Sequence, residues 1–473
     1  MTATPPVAPA VVAFVYNPAT HDTRVLREAE TLAGAGYDVT LVALWRPGLP
    51  REERRGAVRV LRLPFEPLDD RVVRLLGALG SPRRWLRGRR AERTATPAGS
   101  GPPREPAARS GRPGGPATRL RQGLARAVRR GFEPVRWPLI QRAWYGAVRD
   151  VLPAAAVWHA HDLSTLPLAA RFARERGGRL VYDSHELYLE SGRMAEVRGL
   201  RRRLLERSEG RLARRADAVV TVNEGIAAEL WRRYRLARTP LVVMNCPPRW
   251  HPEAGEEPPP SDRLRATLAL PTDRRILLYQ GAFSPDRGLE RIPRALLAPG
   301  LEAAVAVFLG YGPLRDELEA LAADPRFGGR LFVLDAVPPD ELLEWTASAD
   351  VSLIPTQPGT LNNRLTSPNK LFESLAAGVP VVVSRLPVVE RLVADLDVGE
   401  LVGDPTDPAQ LAAAIGRILA LSPDDRAALR RRCRRAALER YNWEIEGAHL
   451  VGLYARLAPL PPAGAPSAPP PPA

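Results

Sequence analysis

Cysteine, lysine and long apolar runs are scarce in this chain of 473 residues. The two cysteines, Cys246 and Cys433, stand far apart and in no metal-ligand spacing. This argues against a disulfide scaffold and favours a reducing compartment. No apolar run approaches the roughly 18 residues that a membrane span needs, and the beginning of the chain lacks the features of a secretory signal peptide. The sequence therefore predicts a cytoplasmic protein, in contact with a membrane at most peripherally.

Lysine occurs once, at Lys370, whereas the other 67 of the 68 basic residues are arginine. The positive charge is also uneven, because residues 83–130 hold fourteen arginines and two glutamates and so supply +12 of the net charge of +15. Inside this segment, residues 88–118 consist mainly of Pro, Gly, Arg and Ser. Such a composition buries too little apolar surface to offset the chain entropy lost on folding. We therefore predict a disordered insertion near 88–118.

The basic segment 83–130 is compatible with two kinds of partner. Its flanks at 75–90 and 118–132 mix apolar and basic residues, as helices on anionic lipid do. Nucleic-acid binding is the alternative, but no recognised nucleic-acid module surrounds the arginines. We therefore expect contact with an anionic surface at the inner face of the plasma membrane, and no nucleic-acid partner.

Short continuous apolar runs alternate with helical patterns along most of the chain. Such runs are typical of parallel strands buried on both faces. The predicted strands are 11–16, 38–44, 156–161, 179–184, 217–222 and 240–244 in the first half, and 275–281, 303–310, 329–335, 350–355 and 379–384 in the second. This alternation predicts an α/β protein with two doubly wound, Rossmann-like domains that face a cleft.

Prolines and acidic residues mark a linker between the two halves. The predicted organisation is an N-terminal domain (1–245), a linker (246–262), a C-terminal domain (263–440), a C-terminal helix (441–458) and a disordered tail (459–473).

The single lysine stands in PNKLFESLAAGVPVVVS, residues 368–384. Ser367 is expected to cap a helix there, Pro368 suits its first position, and Gly378 favours its end. The stretch therefore predicts a helix of about ten residues that precedes a buried strand.

The beginning of this helix has the properties of an anion site. The free N–H groups of Asn369 and Lys370 and the positive end of the helix dipole attract an anion. Glu373, one turn later, can accept hydrogen bonds from two ribose hydroxyls, so a nucleoside diphosphate would satisfy both groups. The alternative is that Lys370 has no function and that Glu373 is an ordinary solvent-facing residue.

The stretch resembles the donor-binding signature of the GT-B glycosyltransferases of the large retaining group (family 4-like, group 1). Further segments resemble the same group in the same order and together cover most of residues 11–455 outside the basic insertion. They are YNPATHDTRVLREAETLAGAGYDVTLVAL (16–44), HAHDLSTLPLA (159–169), LVYDSHELY (180–188), ADAVVTVNEGIAAEL (216–230), LLYQGAFSPDRGLE (277–290) and FLGYGPLRDEL (308–318).

The resemblance implies a hexosyltransferase-like enzyme with the GT-B fold, whose C-terminal helix packs back on the N-terminal domain. It implies a nucleotide-sugar donor bound by the C-terminal domain and a glycan or lipid-linked acceptor, of the bacterial cell envelope by family habit, bound by the N-terminal domain. Transfer with retention and without a cofactor is implied as well. The alternative inside the same fold is an enzyme such as a sugar-nucleotide epimerase.

The family holds the donor ribose with the second glutamate of an E-x7-E pattern, and Glu373 stands at this position. The first glutamate falls at Leu365, which cannot make the corresponding contact. Asn362, Asn363 and Asn369 are the candidates to replace it.

The diphosphate is expected to lie between two cations. The loop GAFSPDRG keeps one basic residue, Arg287, and has Ala282 where the family often has another, so Lys370 is inferred to supply the second charge. The predicted donor-binding residues are Gly281, Arg287, Gly310, Gly312, Val337, Asn369, Lys370, Leu371 and Glu373.

Three of the six histidines follow predicted strands. His161 matches a family histidine near the donor sugar, and Asp162 follows it. His21, His185 and Glu186 lie at the same edge and are candidates for the acceptor side. The alternative for each histidine is a purely structural hydrogen bond. The predicted catalytic residues are Arg287, Lys370, His161 and Asp162.

No metal site is predicted. The string Asp395-Leu-Asp397 is similar to motifs that hold metal-bound nucleotide sugars elsewhere, but here it follows a helix outside the predicted donor loops. We interpret it as a turn. Fixed cations and N–H groups are expected to stabilise the charge that develops on the leaving diphosphate.

Overall fold

A computed structural model describes residues 8–65 and 136–461. The basic segment 83–130, with its predicted disordered insertion and membrane contact, lies outside these residues, as do residues 462–473 of the predicted tail. The chain divides into two compact units. The first comprises Met1–Ala43, Glu52–Leu61 and Ala154–Ala473, and the second comprises Leu44–Arg51 and Arg62–Pro153.

The second unit is described only in part. Its helix at Arg136–Val148 buries Ile140, Trp144 and Val148. The Trp144 ring stacks on Phe65 with the ring centroids 5.7 Å apart.

Within the described residues, the N-terminal half forms an eight-stranded sheet in the order β3-β4-β2-β1-β5-β6-β7-β8. The strands are β1 (Ala10–Phe14), β2 (Asp38–Leu44), β3 (Glu52–Arg55), β4 (Val58–Leu63), β5 (Val157–His161), β6 (Arg179–Ser184), β7 (Ala218–Thr221) and β8 (Leu241–Val242). Strand β1 pairs in parallel with β2 and β5, and the parallel pairing continues through β6 and β7 to β8. The carboxyl ends of these strands therefore meet at one edge.

Helices cover both faces of this sheet. They are α1 (Thr23–Gly34), α3 (Leu166–Arg176), α4 (Gly199–Ala213) and α5 (Glu224–Tyr234), whereas α2 (Arg136–Val148) is the helix of the second unit. On one face, the rings of Phe14, Trp158 and Phe172 stack with centroids 4.9–6.3 Å apart. On the other face, α1 packs on a core that includes Val11, Val39 and Leu41. Burial on both faces explains why the strands are continuous apolar runs.

The C-terminal half forms a six-stranded sheet in the order β11-β10-β9-β12-β13-β14, counted over the described residues. The strands are β9 (Arg275–Ala282), β10 (Ala304–Tyr311), β11 (Leu331–Leu334), β12 (Val351–Ile354), β13 (Val381–Ser384) and β14 (Gly399–Val402). The pairings are parallel. Alternate residues of β9 enter opposite cores, since Leu277 and Tyr279 face one and Ile276 and Leu278 the other.

The helices of this half connect its strands and lead back to the first domain. They are α6 (Arg263–Thr267), α7 (Arg291–Ala295), α8 (Arg315–Ala322), α9 (Leu342–Ala347), α10 (Leu361–Arg364), α11 (Asn369–Ala376), α12 (Pro387–Leu396), α13 (Pro408–Leu419), α14 (Pro423–Glu439) and α15 (Trp443–Leu457).

These two sheets confirm the predicted pair of doubly wound domains. Three strands were not predicted. Strands β3 and β4 form an antiparallel hairpin around Gly56, which has a φ of 55°, and β14 is a four-residue edge strand. The edge strands β3 and β14 bury less of their side chains, so they lack the continuous apolar run that indicates a central strand. In β4 two arginines interrupt the apolar run. The string from Asp395 to Asp397 lies at the end of α12, where Asp397 has a left-handed backbone.

The C-terminal helix α15 packs on the N-terminal domain, as predicted. Trp443 Nε1 donates a hydrogen bond to Thr31 Oγ1 at 2.8 Å, and Leu450 and Tyr454 are fully buried in the core around α1. Tyr37 in turn donates to the Ala458 carbonyl at 3.1 Å. The last helix of the chain therefore completes the core of the first domain.

Over the described residues, we find no helix with the length and apolarity to cross a bilayer.

The packing of α15 leads to a stability prediction. Leu450→Ala should cost about 3 kcal/mol, because it removes a fully buried side chain and leaves a cavity. Thermal melting measures the effect. The neighbouring His449 is 53% exposed, so His449→Ala should leave the melting temperature nearly unchanged. Equal melting temperatures for the two variants would contradict the packing of α15 described here.

Candidate active site

A cavity of about 790 Å³ lies between the carboxyl ends of the central strands of the two domains. Its first wall is formed by the loop after β1 and the residues after β6. Its second wall is formed by the ends of β9 and β10 and the beginning of α11. The predicted site residues that line it are His21, His185, Glu186, Gly281, Arg287, Gly310, Val337, Asn369, Lys370 and Glu373. The structure thus brings together residues from separate parts of both domains.

Helix α11 begins at the cavity, one residue later than predicted. Pro368 is its N-cap, with extended backbone angles, and the helix runs from Asn369. The predicted cap, Ser367, is wrong: no side chain caps this helix, and Ser367 Oγ instead accepts a hydrogen bond from Asn223 Nδ2 at 3.0 Å. The N–H groups of Asn369 and Lys370, in the first turn of α11, have no acceptor inside the helix, so they are available to a ligand at this end.

Lys370 lies above the ring of Tyr279, with Nζ 3.7 Å from the ring centroid. Burial, together with the nearby positive charge of Arg287, lowers the pKa of Lys370 from 10.5 to about 7, and Glu373 opposes this shift. The ammonium form is therefore only partly populated at neutral pH. An anion bound beside it would restore the charge.

Glu373 lines the cavity one turn further along α11. Gln280 Nε2 donates to its Oε2 at 2.6 Å, and Gln280 Oε1 accepts from Thr346 Oγ1 at 2.6 Å. Burial raises the pKa of Glu373, although the bond from Gln280 opposes the shift. The hydrogen bond from Gln280 fixes the position of one carboxylate oxygen of Glu373 and so holds the carboxylate at the edge of the cavity.

Glycines bring the strand ends close together beneath this wall. A Cβ on Gly310 would lie 2.0 Å from the Gly281 carbonyl oxygen, and a Cβ on Gly312 would lie 2.4 Å from the Phe283 carbonyl oxygen. Neither position accepts a side chain without movement of the backbone. Gly281 itself leaves room for Lys370 Nζ, which lies 3.5 Å from the place of a Cβ there.

Arg287 belongs to a tight loop after β9. Asp286 and Gly288 on either side of it have φ angles of 65° and 68°, and the Asp286 carbonyl accepts a bond from Gln357 N–H at 2.8 Å. No ion pair joins Arg287 to a carboxylate of the described residues. Its guanidinium therefore faces the cavity with its charge uncompensated by the protein.

Two donor-side positions do not face the cavity with their side chains. Leu371 is fully buried in the core under α11, and its N–H donates to the Pro368 carbonyl at 2.9 Å. Its predicted place in the donor site is therefore corrected to a core position. Leu365, which replaces the family's first glutamate, packs towards Gly225 of the N-terminal domain. Asn362 and Asn363 do line the cavity.

Asn362 and Asn223 connect the two domains at the cavity. Asn362 Oδ1 accepts from the N–H of Leu187 at 2.9 Å. Asn223 Nδ2 donates to the Leu365 carbonyl at 2.9 Å. These bonds hold the segment before α11 against the N-terminal domain.

The N-terminal wall rests on a buried carboxylate, that of Asp183. Arg24 reaches its Oδ1 at 3.0 Å, while Oδ2 lies 2.8 Å from His185 Nε2 and 3.3 Å from His161 Nδ1. Burial alone would raise the pKa of Asp183, but the charges of Arg24 and His185 hold it well below its usual range.

His185 lies between two carboxylates. Its Nε2 approaches Asp183, and its Nδ1 lies 3.5 Å from Asp162 Oδ2. Burial opposes the charged ring, yet the two carboxylates raise the pKa of His185 to about 10. His185 is therefore held in its charged form, and the two carboxylates balance that charge within the wall. Asp162 also accepts the backbone N–H of His185 at 3.0 Å and has a φ of 62°.

His161 lies one layer beneath the cavity. It is 2% exposed and contacts His185 Nε2 at 3.1 Å, and burial holds its pKa well below the ordinary value. His159 lies deeper still, where its Nδ1 is 2.6 Å from Tyr454 OH of α15. His161 and Asp162 therefore shape the wall behind His185, and their predicted catalytic roles remain predictions.

Among the described residues, one group of four has the donor spacing of a metal site. It consists of Glu28, His159, His161 and Asp183, whose nearest ligand atoms all lie within 4.8 Å of one another. Arg24 already approaches both carboxylates, with Nε 2.9 Å from Glu28 Oε1. A divalent ion here would lie next to a buried guanidinium. We therefore interpret the group as an ion-pair network.

Four residues that matter at the site were not predicted: Arg24, Asp183, Tyr279 and Gln280. Asp183, Tyr279 and Gln280 lie towards the carboxyl ends of β6 and β9, where the strand-end rule that selected the histidines would also have found them. Arg24 has no such signal, because a helical arginine is ordinarily exposed.

Comparison with known sequences identifies these domains. The fold is that of the GT-B class, with two Rossmann-like domains. Residues 274–421 match the family described as "Glycosyl transferases group 1", and residues 93–247 match the "Glycosyl transferase 4-like domain". The chain therefore contains both domains of this glycosyltransferase group, which confirms the resemblance drawn from its motifs.

A similar sequence is that of the D-inositol 3-phosphate glycosyltransferase of Acidothermus cellulolyticus, which is 32% identical over 208 residues, or 42% of this chain and 44% of that protein. The chain spans about half the length of the curated relatives it matches first.

Among solved structures, the sucrose-phosphate synthase of Thermosynechococcus elongatus has a TM-score of 0.67 at 19% identity and covers 95% of this chain and 99% of its own. The Anabaena HepE protein in complex with UDP-glucose has a TM-score of 0.61 at 13% identity, with 95% of this chain and 100% of that chain covered. At these identities the likeness shows the fold.

The low pKa of Lys370 predicts that diphosphate binding depends on pH. Below pH about 7 the lysine is charged before binding, whereas above it the complex must take up a proton. The affinity for GDP or UDP should therefore fall between pH 6.5 and 8.5, by up to about tenfold per pH unit. Calorimetry measures this.

Lys370→Gln is the matched control, because it keeps the phosphate's own titration near pH 6 and removes that of the lysine. An identical pH dependence in the variant and the wild type would contradict the assignment.

Proposed function

We propose that the protein is a glycosyltransferase that moves a sugar from a nucleotide-sugar donor to a glycan or lipid-linked acceptor. The observation that supports this best is the beginning of α11, where Lys370, Arg287 and free N–H groups meet one turn from Glu373. A nucleoside diphosphate has the matching pattern, since its phosphates are anionic and its ribose offers two hydroxyls.

The donor residues act on the leaving group. As the bond from the sugar to the diphosphate breaks, negative charge grows on the phosphate oxygens. Arg287 and Lys370 stabilise it as fixed cations in a partly dry site, where such interactions are stronger than in water. Lys370 gains its proton as the diphosphate binds. Val337 and its neighbours line the part of the cavity assigned to the base, and Glu373 binds the ribose.

The acceptor is assigned to the N-terminal wall. His21 and Glu186 line the cavity there beside His185, whose position between two carboxylates keeps it positively charged. We propose transfer with retention, in which the leaving phosphate takes the acceptor's proton on the same face of the sugar. His161 and Asp162 support this wall from behind.

The place of action is proposed to be the inner face of a bacterial plasma membrane, with an acceptor of the cell envelope. The arginines of segment 83–130 support this by composition, because anionic lipid attracts such segments.

A transfer assay with UDP-, GDP-, ADP- and TDP-sugars tests the proposal. One donor should be consumed only when the acceptor is present, and Lys370→Gln should lower turnover by about 10²–10³-fold, because a fixed charge on the leaving group is lost. Arg391→Gln, at an exposed arginine of α12 away from the cavity, should leave turnover unchanged. Release of an epimerised nucleotide sugar without transfer would overturn the proposal in favour of an epimerase.

We also propose that transfer needs no metal ion, because two side-chain cations and the α11 terminus stand where a divalent ion would otherwise neutralise the diphosphate. Dialysis against EDTA should therefore leave the rate of the wild type unchanged. Loss of activity that Mg²⁺ or Mn²⁺ restores would refute this part of the mechanism.

A further inference from the structure

Helix α4 has a solvent-facing side that does not line the cavity of the candidate active site. The side facing inward is fixed by Glu209, which is 1% exposed and accepts hydrogen bonds from the hydroxyls of Tyr182 and Tyr234 at 2.8 and 2.7 Å. Gly210 lets the ring of Tyr234 pack directly on the helix. The rotation of α4 about its axis is therefore set, and so is the set of residues on its outer side.

The outer side combines leucines with arginines in one stripe. Positions 200, 204, 207, 211 and 214 recur at intervals of three or four residues, which places them on one face of a helix. The stripe begins with two leucines, Leu200 and Leu204, which are 69% and 55% exposed. It continues with exposed arginines at 207, 211 and 214, and Arg203 lies beside it. We call these six residues the α4 face.

The arginines of the α4 face lack acidic partners. Among the described residues, no ion pair joins Arg203, Arg207 or Arg211 to a carboxylate. Two acids of the same region, Glu190 and Glu206, both pair with Arg202 instead, at 2.6 Å. The charge of the α4 face therefore remains uncompensated by the protein.

Helix α14 shows that arginines elsewhere in this chain do have acidic partners. It is equally rich in arginine, yet three of its arginines that reach solvent are paired: Arg431 lies 3.2 Å from Glu257, Arg432 lies 3.0 Å from Asp397, and Arg435 lies 2.7 Å from Glu256.

Beside the α4 face is a concavity of about 810 Å³, lined by Arg203, Leu204, Arg207, Arg211 and Arg214 of this region and by Arg233 of α5. Glu190 and Glu206 line it as well, and their carboxylates pair with Arg202 and Arg233. A phosphate group entering it would meet several guanidinium groups, which bind phosphate oxygens in pairs.

We propose that the α4 face is a docking surface for an anionic lipid bilayer. Arginines without acidic partners match the negative charge of the headgroups, and the two exposed leucines match the acyl boundary just beneath them. Nucleic acid would satisfy the arginines but would leave both leucines in contact with water or phosphate. The inference rests on the membrane location given in the proposed function and deepens it, because it assigns the contact to a particular surface of the described residues.

Sedimentation of the full chain with lipid vesicles tests the proposal. Vesicles of phosphatidylcholine with phosphatidylglycerol should bind the protein, vesicles of phosphatidylcholine alone should bind it weakly, and added salt should weaken binding to the anionic ones. The triple variant Arg203→Gln, Arg207→Gln, Arg211→Gln should bind anionic vesicles at least about tenfold more weakly. The variant Leu200→Ser, Leu204→Ser, which keeps every charge, should also bind more weakly.

The matched control is the triple variant Arg431→Gln, Arg432→Gln, Arg435→Gln, which removes the same charge from α14. It should bind vesicles nearly as the wild type does. An equal loss in both triple variants would overturn the proposal, because binding would then follow net charge alone. Wild-type binding by the α4 triple variant would also overturn it and assign the binding to segment 83–130.

Two further readouts separate this proposal from others. If the α4 triple variant loses affinity for an RNA oligonucleotide but not for anionic vesicles, the face binds nucleic acid and the proposal is wrong. Transfer to a short acceptor free in solution should be unchanged in the α4 triple variant, so a failed docking proposal and a failed transferase proposal give different results. Should that variant misfold, the leucine variant and the salt dependence still decide.

Discussion

The N-terminal wall of the cavity depends on one buried carboxylate. Asp183 receives a guanidinium from α1 through Arg24 and two imidazoles, those of His161 and His185, and Arg24 also bonds to the Val243 carbonyl at 2.6 Å. These contacts join β5, β6, β8 and α1 at the edge where the active site lies. Because the charges are removed from water, each is tolerated only while its partners remain. The positions of the histidines are therefore fixed by electrostatics as well as by packing.

The C-terminal wall has the opposite arrangement. Arg287 is close enough to Lys370 to disfavour the charge of that lysine, and no carboxylate forms an ion pair with either residue among the described residues. The protein thus leaves positive charge without a carboxylate partner at the beginning of α11, and the proposed diphosphate would balance it. On one wall of the cavity the charged side chains are paired with one another, and on the other wall the cations have no carboxylate partner. The first set of charges therefore stabilises the fold, whereas the second set is available to a ligand.

Much of this could be predicted from the sequence, for physical reasons. Strands buried on both faces are continuous apolar runs, and the edge formed by their carboxyl ends selects Lys370 and Glu373 as cavity residues. The direction of each side chain could not be predicted in the same way. Leu371 and His161 stand beside functional positions but face inward, and Ser367 bonds to the other domain instead of capping α11. Such outcomes depend on tertiary neighbours that local patterns do not encode.

Helix α15 has a consequence for the order in which the molecule is made. The sheet of the first domain is complete once the ribosome has passed Val242, but the core beneath α1 still lacks Trp443, Leu450 and Tyr454. That apolar surface remains uncovered by α15 while the next two hundred or so residues are synthesised. The first domain to emerge is thus among the last to be finished, and newly made chains are exposed to aggregation throughout this interval.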